Sequence, residues 1–503
     1  MNDRIRILAT SDVHGYIYPY SYANKKEENI GFARISTLIK SLKDENTILI
    51  DNGDNLEGSP LMYYHMHYQK DKINPVSKAI NKMGYDYINI GNHDFNYGEK
   101  ALVSYLNELN AKCITTNILY KDKNIGSYVI REINGKRLAI FGLTTQYIPN
   151  WESKEHIKDS KFIDAFLACK ENVEYLKKNE NPDYIICVYH GGFEKDLDTA
   201  LATEDLTGEN EGYQMLEEIK GLDILISGHQ HRSLSGKLFN TNYTQTKDRG
   251  SELACIDIYK DKIEAKIIPV TSVFDEDIIS LNEKEEMMCQ SWLDTPLGKS
   301  KVDLKIIDED DSRLHKSQLI TFLNLVCKDI SGAMLNSNSL FDGATGFSEN
   351  ITMRNIVSTY VFPNTLVVKK ITGKILKEYL EKNAEYFDIE NNKIVVSKDF
   401  LYPKPMKYNY DMVDGIFYTI KVSNKKGERI TSLIFNGKEV KEDDEFTLCI
   451  NNYRASGGGN FYMIKNAPTI KEISASMVDI LANYIIKNKE INFDSIDNIK
   501  VEI

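Results

Sequence analysis

Residues 4–14 read Arg4-Ile5-Arg6-Ile7-Leu8-Ala9-Thr10-Ser11-Asp12-Val13-His14. An apolar, β-branched run ends in a polar tail that carries a carboxylate and an imidazole two residues apart. The run has the length of a buried strand and the tail has turn chemistry. The same construction recurs in NTILIDN (46–52), DYINIGN (86–92), RLAIFGLT (137–144), DYIICVYH (183–190) and DILISGHQH (223–231). Helical patterns separate several of these runs, at 32–42, 75–83, 100–109 and 165–178. Strands alternating with helices indicate an α/β domain around a buried sheet, expected over residues 1–275.

Outward from that unit the chain changes character. Residues 276–312 are rich in Asp, Glu and Lys and hold one short amphipathic helix pattern at 282–292, which reads as a connector. Residues 313–503 form a second, α+β unit. Helices are expected at 316–330, 373–384 and 474–487, and strands at 415–422, 429–435 and 445–450.

The composition narrows the function classes. Of 503 residues, 42% are hydrophobic and 27% charged, the balance of a globular chain rather than a disordered one. A net charge of −12 argues against a dedicated binder of nucleic-acid polymers or anionic membranes, although a local metal site could still hold an anion. No apolar run approaches a membrane span, and residues 1–15 show neither the apolar core nor the cleavage pattern of a secretory leader. The expected location is cytoplasmic, or exported if a leader has been removed. Seven scattered cysteines without a Cys-x-x-Cys pattern are expected to be free thiols, mostly in the core.

The chemistry sits at the strand ends. Asp12 and His14 follow the first run, Gly53-Asp54 the second and Gly91-Asn92-His93-Asp94 the third. His190-Gly191-Gly192 ends the fifth, and Gly228-His229-Gln230-His231 ends the sixth. In an extended chain, residues two apart point the same way, so Asp12 and His14 are expected to share a face. Carboxyl ends of strands in an open α/β sheet converge on one crevice, where these distant groups can meet. Asp, His and Asn without Cys suit Mn²⁺, Zn²⁺, Co²⁺ or Fe²⁺. The set exceeds what one tetrahedral ion needs. Two ions ~3.5–4 Å apart, sharing a carboxylate, would clamp an in-line phosphoryl displacement. A lone histidine at a strand end is commonly structural; five clusters, each after a strand, are not explained that way. His65 and His67 lack this context and read as surface residues. His156 and His315 read as surface or structural.

In order, these blocks resemble those of the calcineurin-like metallophosphoesterases. The resemblance implies a four-layer αββα sandwich with a dinuclear metal centre. It assigns one ion to Asp12, His14, Asp54 and His231. The other goes to Asp54, Asn92, His190 and His229, with Asp54 bridging. His93 would bind no metal and would act on a phosphate oxygen as an acid or charge stabiliser. In the nucleotidase branch an acid three positions later often orients that histidine. Here that position is Asn96, so the nearest acid, Asp94, is expected beside His93 among the catalytic residues.

In the second unit, Asn451-Asn452-Tyr453-Arg454-Ala455-Ser456-Gly457-Gly458-Gly459-Asn460-Phe461 places a tyrosine on a glycine-rich loop. Such a tyrosine can stack on a base, a contact worth about 1–3 kcal/mol. The string resembles the loop that closes the substrate site of the 5′-nucleotidase C-terminal domain. The stretch Tyr360–Leu366 with Thr372-Gly373-Lys374 resembles that domain's other aromatic segment. The resemblance implies that Tyr453 and Phe362 sandwich a base and that Asn364 bonds to it, with Asn452 and Gly458 also at the substrate.

The stretch 339–347 lacks the arginine of the Gly-Gly-x-Arg block that marks 5′-specific members. The segments Tyr408–Gly415, Asn452–Ala455 and Gly208-Glu209-Asn210 resemble the 2′,3′-cyclic-nucleotide 2′-phosphodiesterase/3′-nucleotidase branch. The expected function is therefore that of a 2′,3′-cyclic-nucleotide 2′-phosphodiesterase/3′-nucleotidase, releasing nucleoside and phosphate from small-molecule nucleotides with two divalent ions. The alternatives are a 5′-nucleotidase, a nucleotide-sugar or diphosphate hydrolase and, from another class, an inactive nucleotide-binding protein.

Overall fold

The computed structural model describes residues 4–360 and 364–503. The chain divides into two compact units, Met1–Cys289 and Gln290–Ile503.

The first unit is built on two six-stranded sheets. One orders its strands Ile263–Pro269, Glu252–Ile258, Ile5–Thr10, Thr47–Asp51, Tyr87–Ile88 and Lys112–Cys113. The other runs Leu234–Leu238, Thr241–Gln245, Ile224–Ser227, Tyr184–His190, Lys136–Thr144 and Val129–Ile133. The central strands are parallel, with Leu8 opposite Leu49 and Cys187 opposite Leu225; antiparallel strands close three of the four edges, and the parallel strand Lys112–Cys113 the fourth. Alternation of side chains puts Ile5, Ile7, Ala9, Ile48 and Ile50 of one sheet against Leu138, Ile140, Ile186, Val188 and Ile226 of the other. Each of these isoleucines is almost wholly removed from water, worth roughly 1.5–3 kcal/mol apiece. The opposite faces take helices. Ala165–Asn179 and Gly212–Glu218 cover Phe141, Leu143, Cys187 and Leu225, and Phe32–Leu42 packs on the strand Glu252–Ile258. The result is the expected αββα sandwich.

Two sequence-based expectations change here. The third run forms a ladder only at Tyr87–Ile88. Beyond it the Asn89 side chain donates to the Asn52 side chain and to the Leu143 carbonyl, tying the two sheets together where a longer strand would have continued. His65 is not on the surface. It is 2% exposed and its Nδ1 meets Glu285 Oε1 at 2.7 Å, in a π-helical turn over His65–Gln69 that turns it inward. His67 is stacked on Tyr63.

The stretch 276–312 holds helices Glu276–Ser280 and Glu283–Leu293 and strands Pro296–Ser300 and Leu304–Lys305; the division between the units falls inside the second helix. The second unit has a five-stranded sheet ordered Asp411–Asp414, Leu335–Ser339, Glu445–Asn451, Leu366–Thr372 and Thr469–Ile473. A four-stranded sheet comprises Lys438–Glu439, Ile430–Phe435, Phe417–Lys421 and Ile499–Glu502. Helices Gln318–Ser331, Gly373–Ala384 and Met477–Asn488 complete an α+β unit. All seven cysteines are free, six of them buried.

Candidate metal centre and substrate loop

The strand ends of the first unit do converge, but not as extended chain. Asp12, His14, Asp54, His229 and His231 all have positive φ, between 53° and 70°. The left-handed conformation costs an L-residue about 1–2 kcal/mol. Five such residues in one cluster are the mark of a site whose geometry is held by its surroundings. The shared face of Asp12 and His14 thus arises from a tight left-handed turn after the strand, correcting the extended-chain expectation. Close approach also needs glycine: a Cβ on Gly91 would lie 2.1 Å from Asp54 Oδ1.

The donor atoms face one another. Asp12 Oδ1 is 3.4 Å from His231 Nε2 and 3.8 Å from His190 Nε2. His14 Nε2 is 3.3 Å from His231 Nε2. Asp54 Oδ2 is 3.1 Å from His190 Nε2, and Asn92 Oδ1 is 3.2 Å from His190 Nε2 and 2.8 Å from His229 Nδ1. Asp12, His14 and His231 form one compact group and Asp12, Asp54 and His190 another.

The outward nitrogens are already committed. His190 Nδ1–H donates to the Asn52 carbonyl (2.6 Å), His14 Nδ1–H to the Glu57 carbonyl (2.9 Å) and His229 Nε2–H to Glu209 Oε1 (3.0 Å). Each bond fixes a tautomer and leaves the other nitrogen facing the cluster, the arrangement metal-ligating histidines use. Burial opposes charge on His190, yet the Asp54 and Asp12 carboxylates raise its pKa to about 10. Asp12 would be raised by burial, but the nearby His190 and His231 hold it well below the usual carboxylate range. Burial takes His14 down to about 4. Asp54 Oδ2 is a buried oxygen that accepts no hydrogen bond from the described residues. Buried carboxylates that gather positive charge, an orphaned oxygen and inward-facing imidazoles fit divalent cations with mixed O/N coordination.

His93 lies at the edge, its side chain 26% exposed. Its backbone N–H donates to Asp54 Oδ1 (2.7 Å). Its Nδ1 meets Asn96 Oδ1 at 2.7 Å and lies 3.5 Å from Glu57 Oε2. Burial opposes its protonation, and the Asp54 and Glu57 carboxylates with the Asn96 bond raise its pKa on balance. Asp94 does not fill the role expected of it. Its oxygens accept the backbone N–H groups of Gly91, Asp54, Asn55 and Leu56 at 2.8–3.1 Å. It is a buried brace for the Asp54 loop, and His93 is oriented by Asn96 instead.

Sequence reasoning also missed neighbours of the centre. In the sequence Glu209 stands out only as part of the string Gly208-Glu209-Asn210, whereas in the fold it anchors His229. Trp151 stacks on the His229 ring, with centroids 5.6 Å apart. A Trp-Glu pair at 151–152, between strands, carried no signal of its own.

Within the second unit, antiparallel pairing sets Leu366 opposite Asn451, so the two motif segments meet at one end of the sheet. Asn452 uses its backbone N–H and its Oδ1 to bind the Thr365 backbone, both at 3.0 Å. It staples the two segments together. Tyr453 is half-buried, with its ring lying over Gly458: a Cβ there would sit 2.5 Å from the ring. Arg454 beneath pairs with Asp411 through Nε (2.6 Å) and Nη2 (3.1 Å), binds the Gly458 carbonyl and lies 3.9 Å from the Phe461 ring centroid. Asn364 is half-buried, its carbonyl accepting the Met477 N–H. Phe362 lies outside the described residues.

Comparison with known proteins bears on the same two units. The calcineurin-like phosphoesterase family matches residues 5–233, and the 5′-nucleotidase C-terminal domain matches residues 296–466. A Staphylococcus aureus structure, provisionally assigned as a 5′-nucleotidase, is 34% identical, with a TM-score of 0.93 over 99% of this chain and 100% of that one. The 2′,3′-cyclic-nucleotide 2′-phosphodiesterase/3′-nucleotidase of Salmonella typhimurium is 27% identical, covering 90% of this chain and 81% of the relative. The trifunctional nucleotide phosphoesterase YfkN of Bacillus subtilis is 26% identical across 97% of this chain, which spans only 38% of that protein. No helix among the described residues is long and apolar enough to cross a membrane. With both family domains in order and a near-complete structural match, this chain belongs to the calcineurin-like phosphoesterases that carry a 5′-nucleotidase C-terminal domain, a family of phosphoester hydrolases.

Proposed function

We propose that this chain hydrolyses nucleotides with two divalent ions, opening 2′,3′-cyclic nucleotides to 3′-nucleotides and releasing phosphate from these to give nucleosides. The observation that carries the two-ion reading is Asp54. Its Oδ2 accepts no hydrogen bond from the described residues and adjoins His190, in a cluster whose histidines turn one nitrogen inward. Asp12, His14, Asp54 and His231 would hold one ion, and Asp54, Asn92, His190 and His229 the other. Such ions, of the Mn²⁺, Zn²⁺, Co²⁺ or Fe²⁺ class, supply Lewis-acid polarisation of phosphoryl oxygens when bound.

The protein's own groups do the rest. His93, held through Nδ1, offers Nε2 to a phosphoryl oxygen and stabilises charge there as the ester bond breaks. Tyr453, on a loop braced by Arg454, stacks on the base, with Phe362 as its sequence partner and Asn364 as the polar contact. The free cysteines are in keeping with a reducing compartment.

The cyclic branch is supported by the name of the Salmonella relative and by Arg313. That guanidinium reaches the 340–342 segment but is fully buried, donating to the Leu340 carbonyl (2.8 Å) and Asp342 Oδ1 (2.6 Å). Its guanidinium is thus committed within the protein, and the stretch 339–347 carries no arginine of its own to offer to phosphate. The provisional assignment of the Staphylococcus structure favours 5′-nucleotidase activity as the second reading. Phosphate and nucleoside release from 2′,3′-cyclic AMP, 3′-AMP and 5′-AMP after Mn²⁺ loading separates the two. Turnover of the first two well above 5′-AMP is expected. Preference for 5′-AMP would overturn the branch, and turnover of none would overturn nucleotide hydrolysis itself.

A further inference from the structure

His93 has no acid at the position that often orients such a histidine, but one stands a step further out. Asn96 Oδ1 meets His93 Nδ1 at 2.7 Å, and Asn96 Nδ2 donates to Glu152 Oε2 at 2.8 Å. An ionised carboxylate only accepts hydrogen bonds, so Glu152 dictates which end of the Asn96 amide faces it. The amide oxygen is thereby turned to His93, where it accepts Nδ1–H. Glu152 is itself held in place: its Oε1 accepts the Ser153 N–H (3.0 Å) and meets His156 Nδ1 (2.8 Å). Its side chain is only 9% exposed.

We infer that Glu152 is a positioning residue that acts through Asn96, keeping a proton on His93 Nδ1 so that Nε2 is the nitrogen that takes up a proton and presents it to the phosphate oxygen. The inference rests on the proposed role of His93. Without Glu152 the Asn96 amide is free to turn over and present N–H₂ to Nδ1, which moves the neutral ring's proton to Nε2 and opposes the doubly protonated ring whose Nε2–H would meet the phosphate oxygen. Glu57 Oε2, 3.5 Å from Nδ1, stands beyond ordinary hydrogen-bond distance and accepts no hydrogen bond from the described residues. The chain thus splits between two residues, an amide and a distant carboxylate, what a single acid at position 96 would do.

The test uses ¹⁵N-histidine-labelled, Zn²⁺-loaded protein at about pH 9, above the ordinary imidazole range. The Glu152→Ala and Asn96→Asp/Glu152→Ala variants are compared with the unaltered chain, and His93→Gln assigns the His93 signals. Unaltered protein is expected to show a protonated Nδ1 and an unprotonated Nε2. Glu152→Ala should mix or reverse that pattern and lower kcat by about tenfold at nearly constant KM, a fraction of the ~10²–10⁴ that a placed acid–base group contributes. The double variant should restore both, because a carboxylate at 96 accepts Nδ1–H from either oxygen. Unchanged His93 signals in Glu152→Ala, or a double variant as impaired as the single one, would overturn the relay. Full kcat in His93→Gln would instead sink the role of His93, while the nitrogen signals still decide the relay.

Discussion

Asp54 Oδ1 accepts the backbone N–H of His93 at 2.7 Å, which leaves Oδ2 as the oxygen this carboxylate turns to the cluster, 3.1 Å from His190 Nε2. The division of labour makes a sharp expectation for Asp54→Asn. The amide must keep its oxygen on the His93 N–H, so its N–H₂ group, which cannot bind a cation, faces the cluster. Metal content should fall and kcat drop by at least about 10³-fold, or roughly 4 kcal/mol. Metal analysis beside steady-state kinetics reads both. Full activity in this variant would remove Asp54 from the bridging position.

Glu209 holds His229 by its outer nitrogen. Removing such an outer partner commonly weakens metal affinity by about 10–100-fold. Glu209→Ala should show that loss in calorimetric Mn²⁺ titration. An unchanged affinity would mean that the Trp151 stack alone orients the imidazole.

Much of this architecture was legible along the chain, because it rests on short-range patterns. The buried strands announced themselves by apolar runs such as Ile5–Ala9, and the ligand types followed each run at fixed spacing. What escaped was set by contacts between distant residues or by backbone conformation. The left-handed turns at Asp12 and His14 have no compositional sign in non-glycine residues. His65 is buried by Glu285, 220 residues away. Asp94 reads as a catalytic acid because only folding shows that four backbone amides occupy it. Glu152 and Glu209 lie in loops, and only folding brings them within reach of Asn96 and His229.

Tyr453 and Gly458 act as one feature, since the ring occupies the space a Cβ at 458 would need. Loss of a base stack worth about 1–3 kcal/mol corresponds to about 5- to 150-fold in affinity. Tyr453→Ala should raise KM for nucleotides by that order while leaving p-nitrophenyl phosphate almost unaffected. Gly458→Ala should do the same by displacing the ring. Equal effects on both substrates would rule out stacking.

Glu211, buried beside Asp164, is pushed up to about 7 from its ordinary 4.5, burial being the main cause, although it accepts the Phe166 N–H at 3.0 Å. A raised carboxyl pKa means that the folded state keeps a proton the unfolded chain has lost. Stability therefore falls as pH rises from about 4.5 through 7, by an amount on the order of 3 kcal/mol at full effect. Glu211→Gln keeps an acceptor for Phe166 and removes the ionisation. Its thermal midpoint should decline less steeply over that window than that of the unaltered chain. Parallel declines would show that Glu211 does not carry the titration.

The most direct measurement is the number of ions that activity requires. Metal-stripped protein is titrated with Mn²⁺ while bound metal per chain and phosphate release from 3′-AMP are followed together. Activity that rises with the second equivalent, and an Asp54→Asn variant that fails to retain two ions, are the results expected of a centre bridged by Asp54. Full turnover with one ion bound, or with none, would contradict it.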